Sequence, residues 1–292
     1  MIQFIGALIS GLNLGSIYAL IALGYTMVYG IAKMLNFAHG DIIMVGAYSV
    51  IVSAVTLKLP PVVAILIAVV VCAALGVTIE FLAYRPLRQS PPLAVLITAI
   101  GVSYLLQNLA LLIFGPEQKS TPALFDLPSL TLGGVTVDGI TLLTLGVTAA
   151  IMVGLTLFIN LTRMGKAMRA CSEDKDAARL MGINVDATIS MTFAIGSGLA
   201  AVAGVLLCSA YPTLVPTTGS MPGIKAFTAA VFGGIGSIPG ALLGGLLLGV
   251  IEIMAKAYIS TQMSDAAVFA VLIIVLLVKP SGLLGKQVRE KV

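Results

Sequence analysis

Charged side chains are scarce in this sequence. Its 292 residues include 16 Lys or Arg and 12 Asp or Glu, so that charged residues make up 10% of the chain. An ordinary soluble domain is about 25% charged. No polar block of domain size interrupts the chain, and the composition therefore excludes an ordinary soluble protein.

Residues that bind metals or carry out covalent chemistry are also few. The three cysteines, Cys72, Cys171 and Cys208, are scattered and odd in number, which fits neither a disulfide framework nor metal-ligand spacing. His39 is the only histidine, and a single histidine without further ligands does not make a metal site. No set of nucleophile, base and orienting residue is evident. We therefore expect neither a metal site nor catalysis.

The sequence has no loop for cradling the phosphates of a nucleotide. The pattern G-x-x-x-x-G-K-[ST] does not occur, and the glycine-rich stretches GSGLAAVAG and GGIGSIPG lie in apolar segments. If ATP drives a process here, another chain binds it. We therefore expect this chain to hold no cofactor and not to be an enzyme.

Long apolar runs, by contrast, are plentiful. Hydrophobic residues make up 59% of the chain and the mean hydropathy is +1.11. A helix of about 20 residues crosses a bilayer, and only structures that bond their own backbone groups are stable in lipid. The first run lacks a basic n-region and is too long for a cleaved signal peptide, so we expect it to be a span. Predicted spans lie at 4–31, 42–57, 62–84, 92–114, 140–162, 187–210, 239–258 and 265–279.

A ninth apolar segment, 221–234, is short and ends in a glycine pair. It is either a short crossing or a re-entrant half-helix. Basic residues follow the third, fifth and last spans, and such loops face the cytoplasm. Nine crossings would place the N-terminus outside and the basic C-terminus inside. The sequence thus predicts a single transmembrane domain over 1–292, an all-α polytopic bundle of eight or nine helices with a broken or re-entrant segment near 221–234.

One dense charged stretch, RMGKAMRACSEDKDAARLMGINVD at 163–186, stands out in this apolar chain. Ser172 as the N-cap predicts a helix over Glu173–Met181, with Gly182 in the left-handed position that ends it. A helix this short is marginal by itself in water. It must pack on its own membrane domain, on lipid headgroups or on a cytoplasmic partner protein. Its apolar residues are Ala177, Ala178, Leu180 and Met181.

Polar residues and glycines in or near the spans are candidates for a transport path, because polar groups are costly inside a membrane. The motif NFAHGD lies near a span end, which favours a hydrated turn over path lining. Polar residues within spans either bond between helices or line the path, and the glycine break either packs helices or lines a cavity. The candidate path residues are Asn13, Asn36, His39, Gln107, Asn108, Gly233 and Gly234.

Acidic residues in the apolar segments are few. Glu80 and Glu252 lie toward span ends, and Glu252 is spaced to pair with Lys256 on one helix face. An ion-coupled transporter needs acidic residues at mid-membrane. Their peripheral placement weakens that alternative.

Four stretches resemble those of one transporter family. They are GLNLGSIYALIALGYTMVYG, LNFAHGDIIMVGAY, RMGKAMRACSEDKDAARLMGINV and KAFTAAVFGGIGSIPGALLGGL. Through them the chain is similar, essentially end to end, to branched-chain amino-acid ABC transporter permeases of the LivH type. The resemblance implies a type II ABC importer-like bundle, in which the loop after the fifth span carries a coupling helix that docks in a groove of the ATPase subunit.

The resemblance assigns that coupling role to Arg163–Gly182, within a cytoplasmic coupling loop at 163–186. It also implies a second homologous permease, two subunits that bind ATP and Mg, a periplasmic amino-acid-binding protein and the lipid bilayer as partners, with no nucleic acid. The implied ATPase-coupling residues are Gly165, Arg169, Glu173, Asp174, Ala177, Ala178, Leu180, Met181 and Gly182.

The expected function is that of a permease subunit of an ATP-driven importer in the bacterial inner membrane. The resemblance implies that it moves branched-chain or aliphatic amino acids from periplasm to cytoplasm. Three alternatives stay open at this point: the same ABC machinery carrying urea or short amides, an ion-coupled secondary amino-acid transporter, and a passive channel.

Overall fold

The computed structural model describes residues 2–121, 124–132 and 134–285, which form a bundle of α-helices with four short strands. The first five helices are α1 (Ile2–Ala32), α2 (His39–Ile51), α3 (Pro61–Ile79), α4 (Pro92–Phe114) and α5 (Gly139–Leu161). Two short helices, α6 (Arg163–Glu173) and α7 (Lys175–Leu180), follow them. The last four are α8 (Val185–Ala210), α9 (Ser220–Gly233), α10 (Ile238–Tyr258) and α11 (Ser264–Val278).

The predicted spans agree closely with these helices, because each apolar run folds as one helix. Two of the helices continue into π-helical turns: α2 through Val52–Thr56 and α3 through Glu80–Tyr84. Seven helices of the described residues are long and apolar enough to cross a membrane. The prediction of eight or nine requires α9 and α11, which are shorter, with 14 and 15 residues.

The strands are small and join the loops at one end of the bundle. β1 (Lys119–Ser120) pairs antiparallel with β4 (Thr213–Leu214), so that Lys119 lies opposite Leu214. β2 (Leu130–Leu132) and β3 (Val135–Val137) form an antiparallel hairpin. The β1–β4 pairing connects the polar segment after α4 to the loop after α8.

Helices α1 and α10 pack along each other through glycines. A Cβ at Gly11 would lie 2.8 Å from the Cα of Val250, and one at Gly15 would lie 2.8 Å from the Cα of Leu246. On the opposite helix, a Cβ at Gly245 or Gly249 would overlap the α1 backbone. Without a hydrophobic driving force between helices in lipid, such close approach supplies the packing that holds them together.

The two termini of the described chain lie at opposite ends of the bundle. Ile2 shares a groove with Ala257 at the end of α10, whereas Gly285 packs on Gly234, just before α10 begins. The chain therefore makes an odd number of passes. The N-terminal end of the bundle will be called the external end, and the other the cytoplasmic end, because basic residues gather there. These are Lys33, Arg85, Arg88, Arg163, Lys166, Arg169, Lys175, Arg179 and Lys279. Lys286, Arg289 and Lys291 lie outside the described residues.

Helix α9 accounts for the ninth pass. It runs antiparallel to α10, from the contact of Lys225 with Glu252 to the contact of Gly233 with Gly240. A turn at 234–237 then leads into α10. The segment near 221–234 is therefore a short helix that runs beside a membrane-crossing helix, which favours a crossing over a re-entrant return.

Candidate functional site

Helix α6 packs the charged stretch against the membrane domain. Thr162 caps it by accepting a hydrogen bond from the Gly165 backbone nitrogen, 3.0 Å away. Gly165 approaches Ile159 so closely that a Cβ there would overlap the α5 backbone. Met168 and Cys171 are buried, and burial raises the pKa of the Cys171 thiol. The predicted coupling residue Gly165 thus fixes the turn between α5 and α6.

The helix in the charged stretch is divided differently from the prediction. Two helices, α6 and α7, replace the single helix Glu173–Met181, and the break falls at Asp174, whose φ is −153°. The carboxylate of Asp174 accepts hydrogen bonds from the backbone nitrogens of Asp176 and Ala177. The Ser172 hydroxyl instead donates to the carbonyl of Arg169. The N-cap assignment to Ser172 was therefore wrong, because Asp174 performs that role.

The end of α7 is as predicted. Gly182 adopts φ +82°. Its nitrogen donates to the carbonyl of Arg179 and the Ile183 nitrogen donates to the carbonyl of Ala178, each over 3.1 Å. These two bonds define the Schellman motif, which satisfies carbonyls at a helix end.

Helix α7 carries apolar side chains on its solvent face. Leu180 is 89% exposed and Met181 82% exposed, while Ala178 is buried against the membrane domain. Ala177 is also exposed, and spacings of three and four place it on the same face as Leu180 and Met181. We call these three residues the α7 apolar face.

Exposed ions on α6 and α7 make only weak contacts among the described residues. Arg169 reaches the side chain of Asn160 over 3.4 Å, and Glu173 is exposed. Arg179 and Asp176 are 3.8 Å apart, and both side chains are largely exposed. Exposed ion pairs of this kind contribute about 0–1 kcal/mol, so they do not position α7.

Lys175 ties α7 to the membrane domain. Its Nζ donates a 2.7 Å hydrogen bond to the backbone carbonyl of Ala32, the last residue of α1. Burial lowers the pKa of Lys175 below its usual value, and the nearby Arg88 and Lys33 lower it further. The side chain is therefore an anchored cation and not a freely solvated one.

A second charged cluster sits beside α7 at the cytoplasmic end. Arg88 pairs with both Glu80 and Asp186, and Arg85 reaches Asp186 over 2.6 Å. The hydroxyl of Ser190 donates to Glu80, which is fully buried. The cluster joins the end of α3 to the start of α8. Glu80 therefore serves an ion-pair network, in keeping with its predicted place near a span end.

The Gly233–Gly234 break is filled by backbone. A Cβ at Gly233 would overlap the carbonyl of Gly240, and one at Gly234 would overlap the nitrogen of Gly285. The chain after α11 closes the end of α9, since the Leu283 and Leu284 nitrogens each donate over 2.9 Å to carbonyls of α9. Both glycines thus pack segments together, which favours the helix-packing alternative at this break.

The NFAHGD motif is not a hydrated turn, and that expectation was wrong. Asn36 and His39 are 2% and 1% exposed. The Asn36 side-chain oxygen accepts from the Tyr84 hydroxyl over 2.9 Å, and the His39 ring meets Tyr25 edge-on with centroids 4.7 Å apart. Gly24 leaves the space for the imidazole. Packing of α1 on the start of α2 buries this motif.

Of the other path candidates, Gln107 joins an interior polar cluster. Its amide nitrogen donates to Asp41 over 2.9 Å and to Ser220 over 3.1 Å, which links α4, α2 and α9. Asn108 is exposed on the outer surface and donates to a carbonyl of its own helix. Asn13 is half-buried, and its Oδ1 has no partner among the described residues. Gln107 therefore contacts the NFAHGD motif through Asp41, whereas Asn108 faces outward. The path role of the seven candidates stays a prediction.

Sequence reasoning missed most of a second ion cluster, toward the external end of the bundle. Glu252 is 1% exposed and accepts from Lys256 over 2.6 Å, which confirms the predicted pair. It also accepts from Lys225 and from the Tyr18 hydroxyl, each over 2.8 Å, and Lys225 reaches Asp265 over 2.6 Å. These five side chains come from α1, α9, α10 and α11. Only the Glu252–Lys256 pair has a local spacing signal.

The fold and this geometry define a class: a multi-pass helical membrane protein that presents a short apolar-faced helix at its cytoplasmic end. The profile of the family described as branched-chain amino acid transport system / permease component matches residues 7–276. The chain therefore belongs to that family, and it is a multi-pass protein of the bacterial inner membrane.

Individual relatives agree with the family. The high-affinity branched-chain amino acid transport system permease protein LivH of Salmonella typhimurium is 46% identical over 303 residues, covering 100% of this chain and 98% of the relative. BraD of Pseudomonas aeruginosa is 46% identical over 302 residues, covering 99% and 98%. Among solved structures, PsaBC from Streptococcus pneumoniae in complex with Fab aligns over 96% of this chain and 91% of its own, with a TM-score of 0.45 and 16% identity.

Proposed function

We propose that this chain is the permease subunit of an ATP-driven importer that moves branched-chain amino acids into the cytoplasm. Family membership and the relatives' transport of branched-chain amino acids, which their names state, support the cargo. The α7 apolar face is the single observation that supports ATP coupling. It places Leu180 and Met181 in solvent at the cytoplasmic end, where a partner protein can cover them.

The expected energies of burial favour the apolar side chains over the exposed ions as the docking contact. Burying Leu180 or Met181 in a groove would yield about 1.5–3 kcal/mol each before ordering costs. The exposed ions around them contribute about 0–1 kcal/mol each. The partner that covers this face is an ATPase subunit, which holds the ATP and Mg that this chain has no phosphate loop to bind. This chain itself is a transport subunit and not an enzyme.

The rest of the assembly follows from the same proposal. A second homologous permease completes the pathway beside this chain, and two ATPase subunits dock beneath the pair. A periplasmic amino-acid-binding protein delivers the cargo at the external end. In this arrangement Gly165 and Asp174 hold α6 and α7 in place, and Gly182 ends the docking helix.

Reconstitution tests this function directly. The chain is co-expressed with a family ATPase, a second permease and a binding protein, and the purified complex is placed in vesicles. ATP supplied on the side of the cytoplasmic end should drive accumulation of leucine, isoleucine and valine on that side. Accumulation of urea or short amides without these amino acids would contradict the cargo. Uptake driven by a proton or sodium gradient in place of ATP would contradict the coupling.

A further inference from the structure

A small cavity opens at the external end beside the buried ion cluster. Its volume is about 250 Å³, and it lies between α1, α8, α9, α10 and the loop after α8. Typical pockets for drug-sized ligands are about 300–1,000 Å³, so this one suits a smaller molecule. Its wall has two parts. An apolar part consists of Leu14, Leu207 and Met221, and a polar part includes Tyr18, Tyr211, Lys225, Glu252 and Lys256.

The polar wall has hydrogen-bond donors to spare. Among the described residues, the Nζ of Lys256 donates to Glu252 alone, which leaves two of its three N–H groups free. The Nζ of Lys225 donates to Glu252 and Asp265, which leaves one. Both lysines line the cavity. A carboxylate placed between them would therefore meet three unused charge-assisted donors.

The charge of the cluster restricts the ligand. The two lysines balance the two carboxylates of Glu252 and Asp265, and Glu252 and the Lys225 side chain are almost fully buried. An ion of either sign would leave an uncompensated charge in this setting, which is costly. A zwitterion adds no net charge. The hydroxyl of Tyr211 and that of Thr218, which also line the cavity, are acceptors for its positive end.

We propose that this cavity binds the amino-acid cargo at the external entrance of the permease. The α-carboxylate bonds the free N–H groups of Lys256 and Lys225, and the α-ammonium faces Tyr211 and Thr218. The aliphatic side chain lies on Leu14, Leu207 and Met221. This proposal rests on the proposed function, because it assigns a site to the same cargo.

The test measures whether free L-leucine protects a cysteine in the cavity. Met221→Cys is introduced after Cys72, Cys171 and Cys208 are replaced by alanine or serine. The assembled complex, without binding protein, is treated with a maleimide in the presence of millimolar L-leucine. Leucine should slow labelling several-fold. Leucinamide, which lacks the carboxylate, and 4-methylpentanoate, which lacks the ammonium, should not. Gln262→Cys, at the external end but outside the cavity, should label equally with or without leucine.

Variants of the donor group add the chemical control. Lys256→Met should abolish protection of the cavity cysteine, and Lys256→Arg should retain it. If Met221→Cys prevents assembly, Thr213→Cys reports on the same cavity from the loop, since Thr213 lines it without a role in the proposed site. Equal protection by leucinamide, or none by leucine, in a complex that imports leucine would overturn the site while leaving the proposed function intact. If the complex imports no branched-chain amino acid, the proposed function itself is contradicted.

Discussion

The ammonium group of Lys175 donates a 2.7 Å hydrogen bond to the carbonyl of Ala32, which joins the first turn of α7 to the last residue of α1. The last carbonyls of a helix lack intrahelical partners, and a cation there also meets the negative end of the helix dipole. Because α1 packs along α10, this contact links α7 to the centre of the membrane domain.

This contact gives the first prediction. Lys175→Met keeps the side-chain length but removes the donor, at a cost of about 1–3 kcal/mol for the unsatisfied bond. The ATPase should still bind, because the α7 apolar face is unchanged. Leucine imported per ATP hydrolysed should fall, as measured in vesicles with both quantities followed together.

The matched control is Lys166→Met on α6, where the lysine is exposed. It removes the same charge from the same cytoplasmic end and should leave the ratio of import to hydrolysis unchanged. If Lys175→Met imports as much leucine per ATP hydrolysed as the wild type, the contact with Ala32 does not couple hydrolysis to import.

The α1–α10 interface gives the second prediction. A Cβ at Gly249 would overlap the backbone of Gly15, so Gly249→Val should force the two helices apart and prevent assembly. Gly146→Val, where nothing lies within 4 Å of the added Cβ, should assemble normally. The yield of intact complex after size-exclusion chromatography measures both. Equal yields would mean that the helices do not pack as closely as described.

Labelling in intact spheroplasts checks orientation. Glu117→Cys, exposed between α4 and β1, should react with an impermeant maleimide from outside. Leu180→Cys, in the chain expressed without the ATPase, should react only after the membrane is opened. Native Cys171 should stay unlabelled even then, because it is buried and burial raises its thiol pKa, which leaves little reactive thiolate. Labelling of position 180 but not 117 in closed spheroplasts would invert the topology.

The end of α7 gives a prediction about backbone strain. Gly182 has φ +82° with open space around it, so only conformation limits substitution there. Gly182→Val should destabilise the Schellman motif by about 1–2 kcal/mol and weaken ATPase binding. Gly182→Asn should be tolerated, since asparagine enters this conformation readily. Pull-down compares ATPase binding by the Gly182→Val and Gly182→Asn variants. If both retain the same amount of ATPase, the end of α7 is not ordered as described.

Local sequence patterns predict most of the helices but few of the contacts between them. Apolar runs predict the helices because each run has to satisfy its own backbone in lipid, and Gly182 signals its own left-handed turn. Ser172 and Asp174 are equally good cap residues by type, so only the packing of α6 on α5 and α8 decides between them. Lys175 looks like a solvated cation in sequence, because its partner is a backbone carbonyl 143 residues away.

The ion cluster shows the same limit. Glu252 and Lys256 are one helical turn apart, so their spacing alone predicts the pair. Tyr18 lies 234 residues from Glu252, and Lys225 lies 27 residues away on another helix. Their meeting depends on how α1, α9 and α10 pack, which no short-range pattern encodes. The burial of His39 is hidden from the sequence for a related reason, because the space left by Gly24 exists only when α1 and α2 pack together.

The most direct test of the central claim is Leu180→Asp in the reconstituted complex, with Arg179→Ala as the control on the same helix. The aspartate places a charge in the α7 apolar face, whereas the control removes only an exposed ion. Pull-down of the ATPase subunit and ATP-driven leucine uptake are measured on the same preparation, after protease protection confirms insertion. We predict that Leu180→Asp releases the ATPase or uncouples hydrolysis from uptake, and that Arg179→Ala does neither. Wild-type binding and coupling in Leu180→Asp would contradict the assignment of this face to ATPase docking.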